Sequence, residues 1–313
     1  LEPASGLTLQ TPTPRLPTPT MASSRTIHFV SLGCPKNRVD TEVMLGVSDL
    51  EGFRAVGRPE DADVVVVNTC GFIGEAKEES IEAILELSKL KESGRVRQLV
   101  VAGCLSQRYP DEMALEMPEV DHFLGSSDML KLKDVLARPG HTPRVLVGNP
   151  ADWTVRATDP RLPSLSRVFT YVKVAEGCNR TCAFCAIPTF RGKQRSRSID
   201  DVVAECEQHL EAGVTELCLI SQDTIAFGRD RKDGTDLPTL VRRIADLPKA
   251  IRELLYRHLK RIIDAWRRRT SYALDQWARW VNWARLLLGN PLVQLILILV
   301  ALWWSPEHGI GVG

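Results

Sequence analysis

The chain has 313 residues, about two domains' worth. It is 44% hydrophobic, enough to bury sizeable cores, and its 40 basic against 39 acidic residues leave a net charge of +1. That balance supplies no global attraction to nucleic acid or to a membrane surface.

Residues 1–24 are rich in proline and threonine and carry no apolar periodicity, so a disordered leader is expected, with Met21 a candidate natural start. No apolar signal-peptide core precedes the cysteines, and a cytoplasmic chain is expected. The pattern then alternates. Strands are predicted at 26–32, 62–69, 97–103 and 120–125. Helices are predicted at 36–50, 74–94 and near 127–137. The helix over 74–94 has acids in its first turn, lysines in its last and Gly94 as its stop. Strands separated by helix-length segments predict a parallel sheet with helices on its faces over a first domain, 25–138.

Residues 139–166 hold five prolines (139, 143, 150, 160 and 163) and read as a linker. A second alternating block covers 167–248, with strands at 167–177 and 215–223 and helices at 198–213 and 237–247. Ser198 is the expected N-cap of the first of these helices and Gly213 its C′ residue. The tail, 249–313, changes character. Six of the seven tryptophans lie between 266 and 304, a basic amphipathic helix is expected around 254–266, and residues 291–304 are nearly all apolar. The fold class is therefore α/β: a parallel-sheet domain, an incomplete (βα) barrel, and an atypical helical, apolar tail.

The eight cysteines lie at 34, 70, 104, 178, 182, 185, 206 and 218. In a chain of this size and patterning they predict metal or redox use rather than a disulfide framework. Cys34, Cys70 and Cys104 each follow a predicted strand. In a parallel sheet all three emerge at the carboxyl edge, where open α/β folds bind ligands at a topological switch point. The competing reading is three unrelated small apolar residues. A zinc site would ask for a fourth ligand, for which His28 and His122 are the candidates. Cys206 and Cys218 fall inside a helix and a strand and read as structural.

Cys178, Cys182 and Cys185 have C-x3-C-x2-C spacing directly after a strand. Three thiolates on a four-iron cluster leave one iron open to an exogenous group, whereas structural zinc closes its shell with a fourth ligand. This motif resembles that of the radical S-adenosylmethionine superfamily. The stretches "SLGCPKNRVDTE", "VVNTCGFI", "VAGCLSQRYP" and "EGCNRTCAFCAIPTFRGKQRSR" together resemble the methylthiotransferases. Gly33-Cys34-Pro35-Lys36-Asn37, and Ala186-Ile187-Pro188 leading to Arg195-Ser196-Arg197, are similar to the ribosomal-protein, RimO-type branch. The transfer-RNA branch, which methylthiolates adenosine, usually reads G-C-Q-M-N at its first cysteine.

The resemblance covers residues 25 to about 248. It implies two 4Fe-4S clusters, one on each trio, and S-adenosyl-L-methionine at the open iron of the second. It implies transfer of a methylthio group to the β-carbon of an aspartate in ribosomal protein S-twelve of the small subunit. One S-adenosylmethionine would supply the radical that removes an unactivated hydrogen and a second the methyl group, with the first trio's cluster presenting the sulfur. No side chain need act as a general base. A reducing electron donor such as flavodoxin or ferredoxin is the implied partner. Phe184, inside the motif, is a candidate to shield the cluster or stack on a ligand. Gln222 and Asp223, with Ser221 at the end of a barrel strand, are candidate cofactor contacts; the alternative is that they cap the strand. Arg191, Lys193, Arg195 and Arg197 form a basic run that reads either as a contact for a cofactor carboxylate or an acidic substrate loop, or as a solvated face.

Residues 168–248 supply two βα units and part of a third, short of the family's barrel. The tail is foreign to the family, and the chain reads as truncated. A frameshifted or fused frame, a membrane-associating appendage, and helices packed over the open sheet edge are the three readings of the tail. A membrane span is disfavoured, because the apolar run of 292–304 is shorter than the roughly 20 residues a span requires. A catalytically dead iron–sulfur or zinc protein is the alternative from another class.

Overall fold

The computed structural model describes residues 25–164 and 168–247. In the first block β1 (Thr26–Ser31), α1 (Pro35–Leu50), β2 (Arg54–Ala55), β3 (Val64–Thr69), α2 (Gly74–Glu92) and β4 (Gln98–Gly103) come in order. They are followed by α3 (Cys104–Arg108), α4 (Pro110–Glu116), β5 (His122–Leu124), α5 (Leu132–Ala137) and β6 (Val145–Leu146). The six strands form one sheet in the order β2-β1-β3-β4-β5-β6, every pair parallel. The chain reverses its direction of travel across the sheet between β1 and β3, which makes that gap the switch point of a doubly wound fold.

The alternation of side chains along a strand explains the two-layer core. Val64, Val66, Val100 and Ala102 face α1 and α5, packing on Val39, Val43, Met44, Leu132 and Leu136. Val65, Val67, Leu99 and Val101 face the other side, against Ile84 and Leu87 of α2 and Met113 of α4. Every residue of β3 and β4 is buried, as strands covered on both faces require. The expected linker differs from its sequence reading at its start. Val145–Leu146 add the edge strand β6 beside β5, too short a segment for periodicity to reveal. Further along it Pro160 and Arg161 lie against Gly46 of α1: a Cβ there would stand 2.6 Å from the Pro160 carbonyl carbon.

The second block contains β7 (Phe169–Lys173), β8 (Ala175–Glu176), α6 (Ile187–Arg191), β9 (Arg195–Ser196), α7 (Ile199–Glu211), β10 (Glu216–Ile220) and α8 (Leu237–Ala245). β7 and β10 pair in parallel, and β8 pairs with β9 antiparallel. Its core is small: Val172, Val174, Val202, Cys206, Phe227 and Leu240 with a few neighbours. The Ser198 hydroxyl accepts from the Asp201 backbone N–H, the cap expected of α7. The described residues form one compact unit. Among the described residues no helix is long and apolar enough to cross a membrane. The leader and the tail, with all readings of the tail, lie outside the described residues.

Candidate functional site

Cys34 occupies the N-cap position of α1, Cys70 opens the loop directly after β3, and Cys104 opens α3 after β4. Since β1, β3 and β4 are adjacent, the sheet brings the three loops together. Gly33 shows how closely: it has φ +85°, and a Cβ on it would stand 2.8 Å from the Cβ of Cys70. Only glycine accepts both the left-handed backbone and that approach. The three thiols line one cavity of about 340 Å³, together with Lys36, Arg191 and Gln222. Cys34 is exposed, Cys70 half-buried and Cys104 buried. Burial pushes the Cys104 thiol up to about 11, opposed by the Arg191 guanidinium beside it.

Cys178 follows the carboxyl end of β8, as expected, and Cys182 and Cys185 lie in the irregular loop beyond it. The loop is closed at its base, where Cys178 N–H donates to the Gly192 carbonyl at 3.1 Å. Gly177, at φ +74°, leaves no room for a Cβ, which would fall 2.1 Å from the Lys193 carbonyl oxygen. Cys185 N–H turns back onto the Cys182 carbonyl at 3.1 Å. Cys178, Cys182 and Cys185 line a hollow of about 570 Å³ with Arg180 and Lys193. Cys182 is exposed and Cys185 half-buried.

The other candidates fall in varied places. The Phe184 ring is 88% exposed and packs on neither trio. Gln222 lines the first trio's cavity, where its oxygen accepts from Lys36 Nζ and its nitrogen donates to Glu176 at 2.9 Å. Asp223 pairs with Arg180 at 2.5 Å and accepts from Ala226 N–H, capping the short turn after β10. The Ser221 hydroxyl bonds Thr224 at 3.0 Å. His28 and His122 each bond a backbone carbonyl, of Val56 at 2.8 Å and Pro143 at 3.0 Å. All eight cysteines are free, and Cys206 is buried in the second core.

Of the basic run only Lys193 is exposed; the three arginines are not a solvated face. Arg191 and Arg197 are buried, and Arg195 spends its guanidinium on carbonyls that include Pro150, at 2.7 Å. The reason is a charge network that sequence reading did not find. Lys36 and Asp40 of α1 are buried with Lys173, Glu176 and Arg191 of the second block. Lys36 pairs with Glu176 at 3.2 Å and donates to the Ala175 carbonyl at 3.0 Å. Lys173 joins Asp40 and, at 2.8 Å, Glu176. Arg191 joins Asp40 at 2.9 Å and gives its Nε–H to Cys104 Sγ at 3.1 Å. Burial works against charge on Glu176, but Lys173, Lys36 and Arg191 outweigh it and hold its carboxyl well below the usual range. Burial lowers Lys36 to about 8, with Glu176 opposing. The sequence did carry a signal: Lys36, Asp40, Val43 and Val47 form one helical stripe, so a charged i, i+4 pair shares the buried face.

These residues fit thiolate-bound clusters. Each trio lines one cavity, of about 340 and 570 Å³, with room for a group of several metal atoms, each bound to its own thiolate. Three buried cations against two buried anions also leave one positive charge beside the first trio, where thiolates would be anionic.

Residues 26–125 match the family described as "Uncharacterized protein family UPF0004", and residues 172–268 match the Radical SAM superfamily. The chain is 63% identical over 232 residues to a ribosomal protein uS12 methylthiotransferase RimO from Sorangium cellulosum, covering 72% of this chain and 47% of that protein. The Myxococcus xanthus protein of the same name is 48% identical over 223 residues, 71% of this chain and 46% of that protein. The chain thus spans about half the length of the curated relatives it matches. A solved radical S-adenosylmethionine methyltransferase, TsrM from Kitasatospora setae, aligns with a TM-score of 0.47 at 15% identity, over 74% of this chain and 53% of that one. Sheet, trios and matched segments together define a radical-SAM protein with an added N-terminal sheet domain. Within that class the chain is similar, over its matched residues, to the RimO-type methylthiotransferases.

Proposed function

We propose that the chain binds one 4Fe-4S cluster on Cys34, Cys70 and Cys104 and another, with S-adenosylmethionine, on Cys178, Cys182 and Cys185, and serves methylthiolation of an aspartate in ribosomal protein S-twelve. The observation that carries this reading is the meeting of three sequence-distant thiols at one switch point, in the same compact unit as a second trio. When bound, these groups supply the one-electron chemistry and the sulfur and methyl of the product. The chain's own part is to hold six thiolates and leave the remaining positions open. Lys193 adds positive charge beside the second trio, suited to the carboxylate of a methionine moiety, while Arg180 at the same rim is already paired with Asp223. The buried network ties α1 of the first block to the ends of β7 and β8 and to α6 of the second, so the two trios keep a fixed relation. Such thiols persist unoxidised in the cytoplasm, the expected compartment. A flavodoxin- or ferredoxin-type donor and the S-twelve protein are the partners this reading requires.

The test is iron and sulfide quantitation of anaerobically reconstituted full chain, with 5′-deoxyadenosine measured after reduction. Two clusters are expected, and Cys178→Ala should lose one of them together with all 5′-deoxyadenosine. Iron at both trios with no 5′-deoxyadenosine from the unsubstituted chain would instead favour a binding protein without the radical activity. No iron at either trio would end the proposal.

A further inference from the structure

Arg191 belongs to α6, which follows the second trio in sequence, yet its guanidinium serves the first. It is 3% exposed, its Nε–H points at Cys104 Sγ at 3.1 Å, and its Nη1 meets Asp40 at 2.9 Å. Its Nη2 donates to the side-chain oxygen of Asn37, the same oxygen that lies 3.6 Å from Cys104 Sγ. A buried cation with an N–H aimed at a ligand sulfur is among the strongest levers a protein has on such a centre. Hydrogen bonds to cluster sulfurs and net local charge set reduction potentials, and low dielectric strengthens both effects. Asp40 works in the opposite direction, withdrawing part of the positive charge. It also holds Lys173, so its removal leaves two cations less compensated.

We propose that Arg191 is a positioning residue for the first trio, raising the reduction potential of the centre held by Cys34, Cys70 and Cys104 through its bond to Cys104. This rests on the reading that the first trio holds a cluster. Because the residue lies only six positions beyond Cys185, it also makes the electrostatics of one trio depend on the folded loop of the other.

The test uses the full chain carrying Cys178→Ala, so that the remaining iron belongs to the first trio, reconstituted anaerobically. Its potential is measured by mediated reductive titration followed by electron paramagnetic resonance. Adding Arg191→Gln should lower the potential, because the reduced centre loses a stabilising positive charge and a donor. Adding Asp40→Asn instead should raise it. A residue that merely supports the fold would not give shifts of opposite sign. Coincident potentials for the parent and Arg191→Gln overturn the proposal, as do shifts of the same sign in the two variants. If Arg191→Gln does not retain iron, Arg191→Lys decides: it keeps the charge but cannot place Nε–H on the sulfur. A potential below the parent's then supports the role, and an unchanged one overturns it. A parent that binds no iron defeats the cluster reading itself, a result seen before any Arg191 comparison.

Discussion

The two trios are built in contrasting ways. Cys34, Cys70 and Cys104 are 36 and 34 residues apart and meet because three adjacent parallel strands, two of them buried along their whole length, end at one edge. Cys178, Cys182 and Cys185 need no sheet to meet; eight positions of chain suffice, pinned by the Cys178–Gly192 bond, with Cys178 buried, Cys185 half-buried and Cys182 exposed. The first site borrows its rigidity from a whole domain, and the second borrows its own from the network that anchors it to that domain. The lesson is that the buried charges are the joint on which the second trio depends, even though none of them lines its hollow.

The comparison breaks hardest at Lys173. Its ammonium is fully buried between Asp40 and Glu176, so Lys173→Met leaves two buried carboxylates short of a partner. Removing one partner of a buried pair costs about 3–5 kcal/mol. Urea unfolding followed by circular dichroism should show that loss, with the small second core melting ahead of the six-stranded sheet. The exposed pair Arg243–Asp200 is the control, and Arg243→Ala should stay within about 0.5 kcal/mol of the parent. A single unshifted transition in Lys173→Met would remove the network from its role as joint.

A second joint sharpens the point through pH. Arg161, from the segment read as a linker, pairs with Glu42 of α1 at 2.7 Å and with Glu205 of α7. Burial alone would raise Glu205, but its bond to His209 and the charges of Arg197 and Arg161 bring it down to about 2. A carboxylate depressed in the folded state stabilises fully above its unfolded value, near 4.3, and loses that contribution as pH falls through about 2. A gap of roughly two units corresponds to about 3 kcal/mol. Metal-free chain should therefore lose stability between pH about 4.3 and 2, and Glu205→Gln should flatten that limb. An acid limb of unchanged slope in the variant would show that another group governs it.

Steric fit at the same contact gives a smaller effect. Gly46 accepts the Pro160–Arg161 backbone with no room to spare, the nearest atom lying 2.6 Å from where an alanine methyl would stand. Gly46→Ala gains helix propensity but forces the segment outward, at a net cost of about 1–3 kcal/mol. Its thermal midpoint should fall; a rise would mean the segment yields freely and α1 does not need that close approach.

What the sequence disclosed follows the same division. Alternation of strand and helix revealed the sheet, and with it the meeting of Cys34, Cys70 and Cys104, because valine-rich strands such as "VVVVNT" have no other stable placement. Spacing alone revealed the second trio. Short elements escaped: α3, α6 and β6 are two to five residues long, below the length at which periodicity speaks. The charge network escaped for a different reason. Nothing local distinguishes a buried Arg191 or Arg197 from a solvated one until Asp40, Glu176 and Glu205 are brought to it across the chain. Phe184, chosen for its place inside the motif, stands in solvent because neighbours in sequence within an irregular loop need not share a face.

The mildest perturbation isolates what the second block achieves by itself. Ser198 caps α7 locally, its hydroxyl accepting from Asp201 N–H at 3.3 Å, and α7 carries Val202 and Cys206 into the small core and Glu205 into the network. Removing an N-cap side chain costs about 1 kcal/mol. In a block with an ample core of its own, Ser198→Ala would register only as that loss. Here the helix also delivers Glu205 to Arg161 and Arg197, so fraying its first turn should loosen the joint as well. The expected result is a fall of about 1 kcal/mol in the second block's unfolding, with the sheet domain's transition unmoved. Combined with Glu205→Gln the losses should fall short of additive, since both act on the same contact. Strict additivity would mean that the cap and the network support α7 separately, and that the second block holds its helix without help from the first.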